Sequence, residues 1–265
     1  MVSTGLSGAD VVVMNSATVI KRGGDIEKTI AQGRWIVENT SPAMPMVFDF
    51  TDDGYIMEKL ESIDYWDVRA TDVVRLLRSN IWSRPPRVAP SEQTFMALRA
   101  KVLGNISMPE VKEKVDAARY VHAILRAASS AYRSSLSVPA TLSHGDPTAE
   151  NVMYRRGFGS VLIDPICATV AVPDSPCVDV GKMLQSAYGW ESAKYATELK
   201  AYSPGEVQEA VGNDDIFHGG QAWAVVHVVR ALPYVCRHGV ESADRVFEVL
   251  LTAIEEGKFS NEVVF

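Results

Sequence analysis

The chain has 265 residues, 47% of them hydrophobic and 22% charged, a composition that suits one large domain or two unequal lobes. Its net charge of −7, with no Lys/Arg tract, argues against broad contact with nucleic acid or an anionic membrane, which requires clustered cations. Cys167, Cys177 and Cys236 lack a CxxC spacing, no leader-like N-terminus or run of about 18 apolar residues appears, and a cytoplasmic protein without disulfides or zinc is expected.

In chain order, the first 60 residues read as short strands around one helix. Asp10 to Met14 and Ala17 to Lys21 are rich in β-branched residues and are parted by a turn at Asn15-Ser16. Gly23-Gly24-Asp25 ends the second strand, and Asp25 is placed to cap a helix from about Ile26 to Glu38. Met46 to Phe50 and Tyr55 to Leu60 are strands joined by a hairpin turn at Asp52-Asp53-Gly54. From Ile63 the apolar spacing changes to three and four, predicting helices over Asp64 to Asn80, about Glu92 to Leu103, and Pro109 to Arg133. Thr141 to Pro165 interrupts them with two strands, Val152-Met153-Tyr154 and Val161-Leu162-Ile163, flanking a turn at Arg156-Gly157-Phe158-Gly159. Helices resume to about Glu256, with breaks expected near Pro204-Gly205 and from Asn213 to Gly220. The expected architecture is α+β and bilobal: residues 1–60 form a small β-rich lobe, and 61–265 a larger, mainly helical one.

The chemistry concentrates in His144-Gly145-Asp146-Pro147-Thr148-Ala149-Glu150-Asn151 and at Asp164. Asp146 and Asn151 are five residues apart, and Asp164 follows thirteen residues later at the end of an apolar strand. Phosphoryl transfer needs a carboxylate to orient the attacking hydroxyl, ligands for magnesium, and a cation on the nucleotide phosphates. Asp146 suits the first task, and Asn151 and Asp164 offer hard oxygens to Mg²⁺. Singly, each also reads as a turn or strand-end residue; the spacing of all three points to phosphoryl transfer. Two lookalikes fail. Gly24-Asp25-Ile26-Glu27-Lys28-Thr29 lacks the glycine a P-loop needs before its lysine, and Gly157-Phe158-Gly159 sits at a hairpin turn.

These residues resemble the aminoglycoside phosphotransferase/choline kinase superfamily. Its catalytic loop reads His-Gly-Asp-x4-Asn and its metal motif Ile-Asp-Pro or Ile-Asp-Trp; His144 to Asn151 and Ile163-Asp164-Pro165 carry both. The resemblance implies a protein-kinase-like fold, ATP or GTP as donor, Mg²⁺, and a small-molecule hydroxyl as acceptor. It implies Asp146 as the catalytic residue, Asn151 and Asp164 as metal ligands, and His144 and Asp179 as braces of the loop. Asp179-Val180-Gly181-Lys182 is similar to the family's Asp-Leu-Ala-Lys segment, and Ser175 to Ser186 is similar to a bacterial branch found with polysaccharide and capsule genes. Gly145 stands where many regulated protein kinases have Arg, which leaves a phosphorylated activation loop no cation to dock on.

Thr18-Val19-Ile20-Lys21 resembles the family's third-strand motif, whose lysine contacts nucleotide phosphates; Glu27 is read as its helix partner, with Glu38 as the alternative. Gly5-Leu6-Ser7-Gly8-Ala9 resembles the phosphate-covering loop, so Gly5, Ser7 and Gly8 are expected at the nucleotide. It starts so close to Met1 that the strand before it must be truncated or missing. Met57-Glu58-Lys59-Leu60 occupies the expected hinge, where backbone groups of Glu58 and Leu60 would hold the purine and the side chains need not be specific.

For the acceptor, Trp223, His227 and Arg230 fall at i, i+4 and i+7 on one helix face and could bind a sugar bearing phosphate or carboxylate. The same stripe also reads as a core tryptophan, a satisfied core histidine and a salt-bridged arginine. The leading reading is an ATP-dependent phosphotransferase acting on a hydroxyl of a sugar, amino sugar or amino alcohol, with nucleotide and acceptor as its partners, and neither nucleic acid nor membrane. Its alternatives are a catalytically weak nucleotide-binding scaffold and a protein kinase. Gly145 and the short stretch from Asp164 to Asp179 oppose the latter. The acceptor, ATP versus GTP, and the oligomeric state stay open.

Overall fold

The β-branched runs near the N-terminus build an antiparallel sheet in a computed structural model that describes residues 2–4, 9–114, 120–238 and 243–256. Its strands are β1 (Val2–Thr4), β2 (Ala9–Val13), β3 (Thr18–Gly23), β4 (Val47–Thr51) and β5 (Gly54–Glu58), in the spatial order β1-β2-β3-β5-β4. A strand before the expected phosphate-covering loop is therefore present, as β1. Gly5, Ser7 and Gly8 lie outside the described residues. Helix α1 (Ile26–Glu38) begins where the sequence places it, because Asp25 Oδ1 accepts the Lys28 N–H at 3.1 Å and satisfies a free donor of the first turn. Its buried face, Gln32, Trp35 and Ile36 among others, packs on β3, β4 and β5.

A second sheet joins the strands to the helices. β6 (Glu61–Ser62), too short to read from sequence, pairs with β7 (Val152–Arg155), which pairs with β8 (Gly159–Leu162). This hairpin is tied to the first lobe at several points. Arg155 Nε donates to both Glu58 carboxylate oxygens, at 3.1 and 3.2 Å. Arg155 Nη1 and Nη2 donate to the Pro42 and Met44 carbonyls, each at 2.7 Å. Leu162 N–H also donates to Ala43 O at 2.8 Å.

The remainder is helical: α2 (Ala70–Asn80), α3 (Glu92–Ser107), α4 (Pro109–Lys114), α5 (Val121–Ser137), α6 (Pro176–Ala187), α7 (Trp190–Tyr195), α8 (Pro204–Val211), α9 (Asp214–His238) and α10 (Ala243–Glu256). The helix predicted over Pro109 to Arg133 corresponds to α4 and α5, with 115–119 outside the described residues. No helix among the described residues is long and apolar enough to cross a membrane. The chain thus has a small antiparallel-sheet lobe and a larger helical one.

Both predicted breaks are present, between α7 and α8 and between α8 and α9, but the second ends at Asn213 and does not reach Gly220. Pro204 opens α8 at its first turn, where its missing N–H leaves nothing unsatisfied, and Ser203 and Glu206 form a capping box ahead of it. Asn213 Oδ1 accepts the Ile216 N–H at 3.0 Å and starts α9, which then runs straight through Gly219-Gly220. Those glycines read as helix breakers but serve packing. Helix α9 lies so close to α6 that a Cβ on Gly220 would fall 2.4 Å from Val180 Cγ1, and one on Gly181 would fall 2.5 Å from Trp223 Cβ. This crossing is the centre of the core, with Val178, Val180, Trp223 and Val226 all fully buried.

Gly220→Ala should therefore lower the unfolding free energy by about 1–3 kcal/mol, through overpacking, in urea denaturation. Gly104→Ala, at an exposed position of α3 with nothing within 4 Å of an added Cβ, should instead stabilise by roughly 0.5–1 kcal/mol.

Candidate active site

Ser175 caps α6 by accepting the Cys177 N–H at 3.3 Å, and Pro176 follows at the first helical position, which sets Asp179 in the opening turn. Asp179 is completely buried and accepts three N–H bonds: His144 (3.1 Å) and Trp82 Nε1 (2.8 Å) on Oδ2, and Gly145 (2.7 Å) on Oδ1. Burial raises its pKa to about 7 against the lowering effect of those three donors. The segment His144-Gly145 is thereby clamped at both of its N–H groups. Gly145 adopts φ +81°, and a Cβ there would lie 2.4 Å from Ile166 O, so no other residue fits. His144 is buried beneath the loop, meets Trp35 edge-on at 6.0 Å, and accepts the Asp146 N–H on Nδ1 at 3.4 Å. Burial pushes its pKa down to about 4, partly opposed by Asp146 and Asp164, so the ring is neutral at pH 7.

The clamp delivers Asp146. Asn151 Nδ2 donates to the Asp146 carbonyl at 2.9 Å and to its Oδ2 at 3.0 Å, so the five-residue spacing is closed by a side chain. Lys182, one turn along α6 from Asp179, places Nζ 2.9 Å from Asp146 Oδ1. Sequence reading passed over this lysine; its position three residues after a brace already identified was the available signal. Behind the loop, Ser186 Oγ accepts the Ala149 N–H at 3.1 Å and donates to Glu191 at 2.7 Å. Glu150 is held by Lys194 and by the Tyr195 hydroxyl.

Asp164 follows β8 in a left-handed conformation, φ +58°, which costs a non-glycine residue roughly 1 kcal/mol. Asn151 O accepts the Ile163 N–H at 2.9 Å, coupling the loop to the strand that carries Asp164. Asp164 Oδ1 lies 2.6 Å from Lys21 Nζ, bringing β3 and the second acid together. The helix partner of Lys21 is Gln32, whose Oε1 accepts from Nζ at 3.2 Å. This corrects the expectation of Glu27: Glu27 lies on the exposed side of the first turn of α1, as does Glu38 at its end, where it pairs with Arg87 at 3.0 Å. Gln32 shares the buried face with Trp35 and Ile36, and its Nε2 also donates to Pro165 O at 3.1 Å.

At the expected hinge the Glu58 side chain is buried and paired with Arg155, which leaves backbone groups of the hinge for a ligand, and Leu60 is half-buried. Of the two readings of the helix stripe, the core one holds at two positions. Trp223 is core: it has no exposed surface and its indole N–H donates to Ser135 Oγ at 2.9 Å. His227 is core as well, with Nε2 on Val178 O at 3.0 Å. Arg230, the third of the stripe, keeps partial exposure and donates to His227 Nδ1 at 3.1 Å.

The donor set suits magnesium. Asn151 uses its amide nitrogen on Asp146, and Asp164 uses Oδ1 on Lys21, so Asn151 Oδ1 and Asp164 Oδ2 have no donor among the described residues. No group of three or more His, Cys, Asp or Glu side chains converges among the described residues. One carboxylate and one amide oxygen, with phosphates and water completing the shell, is the habit of Mg²⁺ and not of zinc or calcium.

No protein-family model matches the chain, and no curated protein does. Solved structures do. An ethanolamine kinase from Plasmodium vivax matches over 96% of this chain and 81% of its own, with TM-score 0.59 and 12% identity. A thermostable variant of the aminoglycoside phosphotransferase APH(4)-Ia, in a ternary complex with ADP and hygromycin B, matches over 94% and 90%, with TM-score 0.57 and 12% identity. The choline kinase LicA from Streptococcus pneumoniae matches over 92% and 89%, with TM-score 0.54 and 15% identity. This chain has the bilobal, protein-kinase-like fold of those structures.

The buried His144 makes one prediction about acid. Its folded pKa lies below the ordinary 6.5, so its stabilising contribution is intact above that pH and is lost as pH falls toward 4. The difference in unfolding free energy between wild type and His144→Gln, measured by urea denaturation, should shrink by about 3 kcal/mol between pH 7 and pH 4.

Proposed function

We propose that the chain is a magnesium-dependent kinase that transfers the γ-phosphoryl group of ATP or GTP to a hydroxyl of a small molecule: a sugar, amino sugar or amino alcohol. The observation that carries this reading is the joining of Asp146, Asn151, Asp164 and Lys21 into one connected constellation, as described above. The fold adds support, since it is shared with structures named as ethanolamine, choline and aminoglycoside kinases.

Asp146 is the residue that meets the acceptor. Lys182 on Oδ1 and Asn151 on Oδ2 hold its carboxylate in one orientation. The carboxylate orients the acceptor hydroxyl and takes its proton as the hydroxyl oxygen bonds to the γ-phosphorus and the bond from that phosphorus to the β–γ bridging oxygen breaks. Asn151 and Asp164 would hold Mg²⁺, which neutralises charge on the phosphate oxygens. Lys21 would turn from Asp164 to the nucleotide phosphates, steadied by the neutral amide of Gln32. Positioning and fixed charge supply most of the acceleration, because each of these groups is set before the nucleotide arrives.

Asp146→Asn and Asp164→Ala should each lower magnesium-dependent nucleotide turnover by about 10²–10⁴-fold while leaving the thermal melting profile cooperative. Full turnover in both variants sinks the kinase reading. Gln32→Ala should weaken nucleotide binding several-fold in titration calorimetry, about 1 kcal/mol, whereas Glu27→Ala should leave it unchanged.

A further inference from the structure

Beyond the nucleotide constellation, one cation near Asp146 has no acid of its own. Arg230, on α9, donates Nη1 to His227 Nδ1 at 3.1 Å, and His227 Nε2 lies 3.0 Å from Val178 O. A carbonyl only accepts, so the imidazole proton sits on Nε2 and Nδ1 offers its lone pair to the guanidinium. His227 is fully buried, and burial, Lys182 and Arg230 all hold its pKa well below the usual value, so it stays neutral and leaves the Arg230 charge unanswered.

No carboxylate lies within 4.0 Å of the Arg230 guanidinium among the described residues. Burial lowers its pKa, and the one acid that counteracts this is Asp146. Yet Asp146 is already paired with Lys182 at 2.9 Å. The geometry that links the two cations is His227, which bonds Arg230 at one ring nitrogen and, at the other, the Val178 carbonyl, one turn of α6 before Lys182. A partly exposed guanidinium that bonds a neutral ring and meets no carboxylate keeps donors and charge for an incoming anion.

We propose that Arg230 and Lys182 form an anion subsite beside Asp146 that receives a phosphate or carboxylate carried by the acceptor. The phosphates of the nucleotide already have Lys21 and the Asn151–Asp164 pair, so the surplus charge belongs to the other substrate. The acceptor is then an anionic hydroxyl compound, such as a sugar phosphate or a hydroxy acid. A free amine is disfavoured, because an ammonium group next to Lys182 and Arg230 would be repelled. That identification of the ligand rests on the kinase reading; the subsite itself does not.

Titration calorimetry with inorganic phosphate, on the full chain with and without saturating magnesium and AMP-PNP, tests it. Phosphate should bind in both states, and Arg230→Gln should weaken it at least about tenfold while nucleotide affinity changes less than about twofold. Arg230→Lys, which keeps the charge, should retain part of the binding and covers the case in which Arg230→Gln does not fold. Three results overturn the subsite: no phosphate binding, binding indifferent to Arg230, or binding abolished by AMP-PNP, which places the anion at the γ-phosphate position. A wild type that phosphorylates glucosamine as readily as glucosamine 6-phosphate overturns the acceptor class. Loss of AMP-PNP binding alone would instead defeat the kinase reading, with the phosphate titration of the nucleotide-free protein still deciding the subsite.

Discussion

Asp179 is a carboxylate with no exposed surface and no cation in contact, an arrangement that is costly unless every lone pair is used. It is stabilised by three N–H donors from two parts of the chain: Trp82, in the loop before α3, and the adjacent amides of His144 and Gly145. Removing that acceptor would orphan three buried donors together, which is why the loop cannot relax independently of α6. The same helix then supplies Lys182 to Asp146 and Ser186 to Ala149, so the loop is held from beneath by one element at successive turns. Helix α6 in turn is fixed by its close crossing with α9. The position of the Asp146 carboxylate thus traces back to glycine-mediated packing deep in the helical lobe.

The charges of the site are arranged in pairs that sit in wait. Lys21 neutralises Asp164 and Lys182 neutralises Asp146, each at hydrogen-bonding distance. Both acids lie within an acidic chain, yet neither carries its charge unpaired. Gln32 matters here because it is neutral. A glutamate would compete with Asp164 for Lys21, whereas the amide can bond Lys21 with one end and Pro165 O with the other.

Much of this was readable from residues alone, for identifiable reasons. The Asp146, Asn151 and Asp164 spacing survives because a loop and a hairpin of fixed length join them, and local chemistry of that sort does not need tertiary context. Asp25 is a local cap and was equally readable. What escaped depends on which face of a helix is buried. Gln32 and Glu27 differ by five residues on α1, and only the contact with β3 decides which of them meets Lys21. Trp223 and His227 share a stripe with Arg230, but the stripe meets α5 at Trp223 and α6 at His227, and only Arg230 of the three keeps any exposure. Gly219-Gly220 misled for the same reason: a glycine pair marks a break locally and a close crossing only when the partner helix is known.

Arg155 has a bearing on motion. Its guanidinium joins Glu58 in the sheet lobe to β7 of the hairpin, and it caps the Pro42 and Met44 carbonyls at the same time. Four acceptor oxygens on three residues hold one guanidinium, so the hairpin that leads to Asp164 cannot shift against the sheet lobe at Arg155 without breaking several charge-assisted bonds at once. The Lys21–Asp164 and Gln32–Pro165 bonds tie the same two parts together a second time, past the end of β8. The relative placement of the two acids and the β3 lysine is thereby anchored from both ends of the hairpin's exit.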